Sequence, residues 1–156
     1  MMRIDIPGRD VLEIRHLVLD MNGTLSLDGE LLGGVAERIE ALRGKLEILI
    51  ITADTLGTAQ QIAAGLGVQL HKIDAARQPE QKLAFIKQLG YQTTAAIGNG
   101  ANDVLMLKKA VLGICIVGPE GAAWESVSAC DVVVSDINAA LDLLLKPKRL
   151  IATLRI

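Results

Sequence analysis

The feature that most constrains the fold is the alternation of short apolar runs with longer segments of helical periodicity. The runs are mostly continuous in apolar residues rather than alternating in polarity, and they occupy 16–19, 46–51, 68–73, 93–97, 112–117 and 132–134. Continuous apolar strands separated by helices are typical of a mostly parallel sheet with helices on both faces. The sequence therefore predicts an α/β fold of three αβα layers with right-handed crossovers.

The segments between these runs carry the signals of helices and turns. Periodicity predicts helices over 34–43, 56–66, 79–89, 102–110 and 137–145, and a further helix that begins at Pro119. The apolar face of the second predicted helix, over 56–66, begins at Leu56. Asp28 and Gly29 lie between apolar residues within 25–32, a pattern that predicts a small β-hairpin.

The composition limits the domain organisation and the class of partner. With 156 residues, 51% of them hydrophobic, the chain predicts a single domain over 1–156, with an N-terminal extension (1–13) and a C-terminal tail (146–156). We expect the basic tail to form a solvated helix with a few apolar anchors. The net charge of −2 and the 2% of aromatic residues argue against binding to nucleic acid.

The chain also carries no sign of export or of membrane insertion. No stretch approaches 18 uncharged apolar residues, and the first residues lack the apolar region of a signal peptide. Cys115 and Cys130 lie in or beside apolar runs, which favours buried thiols over a disulfide or a metal pair. We therefore expect a cytoplasmic protein without membrane contact.

Polar residues follow the predicted strands at the positions where a parallel sheet binds ligands, the carboxyl ends of its strands. The first strand is followed by 20–24 (DMNGT), the second by 52–54 (TAD), the third by Lys82, and the fourth by 98–103 (GNGAND). Because these ends share one edge of the sheet, we expect the side chains to form one site.

The residue types in this predicted site suit phosphoryl chemistry. Asp20 can ligate magnesium and attack phosphorus, which would form an aspartyl phosphate. Thr52 can donate its hydroxyl to a phosphoryl oxygen, and Lys82 can offset the negative charge. Asp103 can hold the metal or orient its waters. Backbone N–H groups can approach the phosphate closely at Gly23, Gly98 and Gly100.

The motifs DMNGT, ITAD, PEQK and GNGAND, in this order, resemble the four motifs of the haloacid dehalogenase superfamily, whose fold is Rossmann-like. They are most similar to those of the phosphorylation domain of P-type ATPases and its free-standing relatives. The resemblance implies a Mg²⁺-dependent phosphohydrolase with catalytic residues Asp20, Asn22, Thr52 and Lys82. The phosphate-binding set is then Gly23, Thr24, Thr52, Ala53 and Lys82, and the metal set is Asp20, Asn22 (through its backbone carbonyl), Asn99 and Asp103.

Two residues depart from the pattern of the superfamily. Phosphatases of this kind usually have Asp at the position of Asn22, where it acts as general acid and base, and the relatives have a magnesium-binding Asp at the position of Asn99. General acid–base catalysis is typically worth ~10²–10⁴-fold. We therefore expect slow hydrolysis of alkyl phosphates, a smaller effect on activated phosphates such as acyl phosphates, and weaker magnesium binding.

The short connections leave no room for a cap domain, so we expect an open site with the hairpin at 25–32 as its only flap. The resemblance implies a phosphorylated small molecule, a nucleotide or a phosphoprotein as substrate, and a neighbouring subunit as a lid. The alternative function is a catalytically weakened protein that binds phosphate, nucleotide or a partner protein in a regulatory role. The two asparagines favour that alternative, whereas the presence of Asp20, Thr52, Lys82 and Asp103 together favours the enzyme.

Overall fold

The computed structural model describes residues 1–54 and 57–156, which form ten strands and seven α-helices. The strands are β1 (Met2–Ile4), β2 (Leu12–Ile14), β3 (His16–Asp20), β4 (Ser26–Leu27), β5 (Glu30–Leu31), β6 (Glu47–Thr52), β7 (Gln69–Lys72), β8 (Thr94–Gly98), β9 (Leu112–Ile116) and β10 (Val132–Val134). The helices are α1 (Val35–Arg43), α2 (Thr58–Leu66), α3 (Gln78–Leu89), α4 (Val104–Lys109), α5 (Trp124–Ala129), α6 (Ile137–Leu145) and α7 (Pro147–Leu154).

Six strands form one sheet in the order β10-β9-β8-β3-β6-β7, and every neighbouring pair is parallel. From β3 the chain adds β6 and β7 on one side, and it then adds β8, β9 and β10 on the other. The strand order therefore reverses between β3 and β8, which is where open parallel sheets bind ligands.

Both faces of the sheet are buried, because successive side chains of each strand point to opposite faces. On β3, Leu17 and Leu19 join the larger apolar cluster, which includes buried residues of α1, α2, α6 and α7. Val18 joins a second cluster with Phe85 of α3 and Met106 of α4. Cys115 is buried in the second cluster and Cys130 packs against it. The predicted three-layer αβα fold is confirmed.

The two ends of the chain pack against the larger cluster. Residues 1–13, predicted as an extension, contain β1, which pairs with β2 in an antiparallel hairpin, and they bury Ile4 and Ile6. At the other end α7 buries Leu150 and Leu154, so the predicted tail helix with apolar anchors is confirmed. Among the described residues, no helix combines the length and apolarity needed to cross a membrane.

The predicted hairpin at 25–32 is confirmed as the antiparallel pair β4 and β5. Its turn residues Asp28 (φ 52°) and Gly29 (φ 83°) both lie in the left-handed region, as a tight hairpin turn requires. Between β3 and α1 the chain holds only this hairpin, and β7 and α3 are joined by residues 73–77. Both connections lie within the described residues, and neither holds a cap domain, as predicted. The predicted stripe residue Leu56 lies outside the described residues.

The prediction that a helix begins at Pro119 is wrong. Residues 118–121 form a turn in which the Gly121 N–H donates to the Gly118 carbonyl oxygen at 2.8 Å, and α5 begins only at Trp124. Proline is favoured both in the first turn of a helix and at the second position of a β-turn, so the residue alone did not distinguish the two. The helix predicted over 102–110 begins instead as a 3₁₀ turn (Ala101–Asp103) that leads into α4.

Candidate active site

The polar residues that follow the strands converge at one edge of the sheet. Asp20 ends β3, Thr52 ends β6, and Asn99 directly follows β8. Because β6 and β8 pair with β3 on either side, these three residues lie next to one another. They line an open cleft of about 550 Å³, whose other lining residues include Asn22, Ala53, Asp54, Gln78, Asn102 and Glu120.

Lys82 of α3 lies beneath this cleft with only 1% of its surface exposed. Its ammonium group donates to Asp20 Oδ1 at 2.9 Å and to Asp103 Oδ1 at 2.7 Å. Burial lowers the pKa of Lys82, but the charges of the two carboxylates outweigh burial and leave that pKa above its ordinary value. Lys82 is therefore charged and joins two carboxylates from different strand ends.

Asp103 is fully buried, and both its carboxylate oxygens have donors within the protein. Oδ1 accepts from Lys82, while Oδ2 accepts from the backbone N–H groups of Asn99 at 3.0 Å and Gly100 at 3.1 Å. A Cβ on Gly98 would overlap this carboxylate. Asp103 therefore fixes Lys82 and the loop after β8, and its metal-ligand role stays a prediction.

The glycines of the predicted site shape its loops. The Gly100 N–H donates to Asp103, and Gly98 provides room for that carboxylate. The Gly23 N–H donates to the Ser26 carbonyl oxygen at 2.8 Å. Gly23 also has a φ of 76°, which favours glycine. The approach of a phosphate to these residues stays a prediction.

Asp20 combines burial with two charged neighbours. Burial raises the pKa of Asp20, the negative charge of Asp103 raises it further, and Lys82 lowers it, with a net increase from 3.8 to about 7. Its Oδ1 accepts from Lys82, and its Oδ2 has the Thr24 hydroxyl at 3.4 Å. A carboxylate with a raised pKa at the floor of a cleft is typical of a functional site.

Thr24 connects Asp20, at the end of β3, with Asn99, which follows β8. The Thr24 hydroxyl lies 3.4 Å from both Asp20 Oδ2 and Asn99 Oδ1. Asn99 Nδ2 donates to the Gly121 carbonyl oxygen at 3.1 Å, and Asn99 Oδ1 faces the Thr24 hydroxyl. The predicted phosphate-binding hydroxyl of Thr24 thus lies between two candidate metal ligands.

These oxygens fit Mg²⁺, which prefers hard oxygen ligands and retains several waters. Asp20 Oδ2 and Asn99 Oδ1 would supply one charged and one neutral ligand, and the backbone carbonyl of Asn22 is the third predicted ligand. Among the described residues no group of three or more His, Cys, Asp or Glu side chains is placed to hold a metal ion. A metal here would therefore depend on one carboxylate, that of Asp20, together with amide, carbonyl and water oxygens.

Thr52 is placed as a donor to a ligand in the cleft. Its hydroxyl oxygen accepts a hydrogen bond from the Asp54 N–H at 3.1 Å, so its own proton is available to donate. Thr52 is nearly buried, and the next residue, Ala53, also lines the cleft. Asp54 Oδ2 accepts from the Ala59 N–H at 3.1 Å and so stabilises the start of α2.

Two polar residues that line the cleft, Gln78 and Glu120, lie outside the segments predicted for the site, and Asn102 lies within the predicted loop 98–103. Gln78 and Asn102 are joined by a hydrogen bond of 2.8 Å from Asn102 Nδ2 to Gln78 Oε1, and Glu120 lies in the turn after β9. The rule that located the other residues, polar groups at strand carboxyl ends, applies equally to β9. Glu120 follows the carboxyl end of β9, so the same rule applied there predicts it as a site residue.

Comparison with known proteins gives a consistent family. The family model of haloacid dehalogenase-like hydrolases matches residues 12–110. An uncharacterized protein of Methanocaldococcus jannaschii is 46% identical over 91 residues, which are 54% of this chain and 98% of that protein. A copper-transporting ATPase of Oryza sativa is 31% identical over 130 residues, which are 78% of this chain but only 12% of the ATPase.

A solved structure with the same fold is the 3-deoxy-D-manno-octulosonate 8-phosphate phosphatase of Moraxella catarrhalis. It has a TM-score of 0.68 and 21% identity, with 90% of this chain and 92% of that chain covered. That enzyme was solved in complex with a magnesium ion, a phosphate ion and a KDO molecule. At this identity the likeness concerns the fold alone.

Proposed function

Because the chain belongs to the haloacid dehalogenase-like hydrolases, we propose that it is a magnesium-dependent phosphohydrolase that forms an aspartyl phosphate on Asp20. The observation that carries the proposal is the buried ion triad of Asp20, Lys82 and Asp103 at the floor of an open cleft. The triad fixes one oxygen of Asp20 and leaves the other, Oδ2, near a single hydroxyl at 3.4 Å.

In the first step an oxygen of Asp20 attacks the phosphorus of the substrate. The new O–P bond forms as the bond between phosphorus and the leaving oxygen breaks. Lys82 keeps the carboxylate oriented and balances its charge, and Thr52 donates its hydroxyl proton to a phosphoryl oxygen. A bound Mg²⁺ would supply positive charge at the phosphoryl oxygens, held by Asp20, Asn99 and the Asn22 carbonyl.

The shape of the cleft supports the proposed classes of substrate. The cleft is open and uncapped, so it can admit a phosphorylated small molecule, a nucleotide or a phosphoprotein. The magnesium and phosphate ions in the Moraxella phosphatase support the choice of cofactor. A second copy of the chain could cover the cleft.

The test is direct detection of the phosphoenzyme. The protein is incubated with Mg²⁺ and either acetyl phosphate or ATP, and the denatured product is examined for an adduct that is stable to acid and labile to alkali. We expect the adduct in the wild type and in Asp5→Asn, which changes an exposed acid in the N-terminal hairpin segment. We expect none in Asp20→Asn, and an adduct in that variant would contradict the assignment of the nucleophile.

The alternative is a protein that binds phosphate or a partner with little turnover, and the neutral side chains of Asn22 and Asn99 favour it. That function predicts no adduct with any donor, together with an increase in thermal stability when phosphate and Mg²⁺ are added. The same incubation therefore distinguishes the two functions.

A further inference from the structure

Hydrogen bonds hold the loop between β9 and α5 against the candidate site. Its turn is closed between Gly118 and Gly121, with Pro119 at the second position. Asn99 holds the loop through two hydrogen bonds: its Nδ2 donates to the Gly121 carbonyl oxygen at 3.1 Å, and its own carbonyl oxygen accepts from the Ala123 N–H at 2.9 Å. An aspartate at position 99 has no side-chain donor for the first of these bonds.

This anchoring brings the carboxylate of Glu120 to the cleft. The space that a Cβ on Gly23 would fill is occupied by Glu120 Oε2, and Gly23 directly follows Asn22. Glu120 therefore lies against the residue that follows Asn22, and both Asn22 and Glu120 line the cleft. Glu120 also lines the same cleft as Asp20.

Among the described residues that line the cleft, three carry carboxylates. Asp20 is paired with Lys82, and Asp54 accepts a hydrogen bond from the first turn of α2. Glu120 is exposed, and within the described part of the chain it takes part in no salt bridge or hydrogen bond. Its carboxylate is thus available to a ligand in the cleft.

The chemistry of the second step requires a base on this side of the site. In phosphoryl transfer the attacking and leaving oxygens lie roughly in line with phosphorus. When Asp20 is the leaving group, the attacking water therefore approaches from the mouth of the cleft, opposite the buried floor. Asn22 cannot accept a proton from that water, whereas a carboxylate can.

We propose that Glu120 is the general base for hydrolysis of the phosphoenzyme, an inference that rests on the proposed function. The water oxygen bonds to phosphorus, its proton passes to the Glu120 carboxylate, and the bond between phosphorus and Asp20 breaks. Inorganic phosphate leaves and the Asp20 carboxylate is restored. Glu120 then returns its proton to the alkoxide leaving group of the next substrate, which completes the cycle.

The experiment follows decay of the phosphoenzyme in a single turnover. The full chain is labelled with radioactive acetyl phosphate and Mg²⁺, because an acyl phosphate has a good leaving group and needs little acid assistance. The donor is then removed and the label on the protein is followed with time. The variants are Glu120→Gln, the double variant Glu120→Gln with Asn22→Asp, and Glu125→Gln. Glu125 is a matched control, since it is exposed in the first turn of α5.

We expect Glu120→Gln to form the adduct and to lose it at least ~10²-fold more slowly than the wild type, in the range of general-base effects. Glu125→Gln should decay like the wild type, and Asn22→Asp should restore fast decay to Glu120→Gln. Wild-type decay in Glu120→Gln would overturn the proposal while leaving the aspartyl phosphate intact. No adduct in the wild type would refute the proposed function itself, and this inference with it.

Discussion

Replacing Asp20 with asparagine should abolish the adduct and yet stabilise the metal-free protein at neutral and alkaline pH. The folded protein raises the pKa of Asp20 from 3.8 to about 7, mainly by burial and secondly by the charge of Asp103. Between these two values the folded state holds a proton that the unfolded chain releases. The free energy of unfolding of the wild type therefore falls as pH rises through this window.

The magnitude follows from the difference in pKa. One pKa unit corresponds to about 1.4 kcal/mol, so the full shift removes up to about 4 kcal/mol of stability by pH 8. Asparagine does not titrate, and its side-chain oxygen still accepts a hydrogen bond from Lys82. Lys82 also keeps its charged partner Asp103. The variant should therefore resemble the wild type near pH 4 and exceed it progressively towards pH 8.

The assay is urea denaturation in EDTA at a series of pH values. It is followed by circular dichroism, because Trp124, the single tryptophan, is 76% exposed and reports poorly on the core. A variant that is no more stable than the wild type at pH 8, or a difference that does not grow with pH, would refute the reasoning. Added Mg²⁺ should stabilise the wild type and have a much smaller effect on the variant, which lacks the charged ligand.

Three further substitutions test the ion pairs and the close packing. Lys82→Met leaves two buried carboxylates without a cation, so urea denaturation at pH 7 should show a loss of ~3–5 kcal/mol that diminishes in acid. Arg38 holds the pKa of Asp142 below its ordinary value, an effect that stabilises the fold above about pH 4 and is lost as pH falls. Asp142→Asn should accordingly lower the melting temperature at pH 7 and have little effect at pH 2. Gly98→Ala should lower both the melting temperature and the adduct yield, because its Cβ overlaps Asp103, whereas Gly44→Ala, with no atom within 4 Å of its Cβ, should do neither.

The sequence was sufficient for the fold because most strands of the main sheet are rich in apolar residues and the segments between them have helical periodicity. The same periodicity places Asp20 and Thr52 at strand ends, and parallel strands bring those ends together without further information. Lys82 could be assigned to the site by its motif. The burial of Lys82 between two carboxylates could not be predicted, because it depends on how α3 packs against the sheet.

The wrong helix start and the missed residue Glu120 both lie in the segment after β9. The metal role of Asp103 stays a prediction, and its carboxylate oxygens accept from Lys82 and from two backbone N–H groups. Pro119 was assigned to a helix because a turn and a helix start share the same residue preference. Because a helix was predicted from Pro119, Glu120 was not predicted as a site residue. Its position depends on the two hydrogen bonds between Asn99 and the loop.

The buried ion triad has a consequence for how this sequence can drift. Removing any single member of Asp20, Lys82 or Asp103 alters the charge balance of an interior group, and loss of the cation is strongly destabilising. A lineage that had stopped catalysing would therefore retain Lys82 for folding alone. Asp20, whose replacement by asparagine should stabilise the protein at neutral pH, and Glu120, which is exposed, carry no such structural obligation. The presence of Asp20 and Glu120 across a lineage would therefore record selection for chemistry more faithfully than that of Lys82.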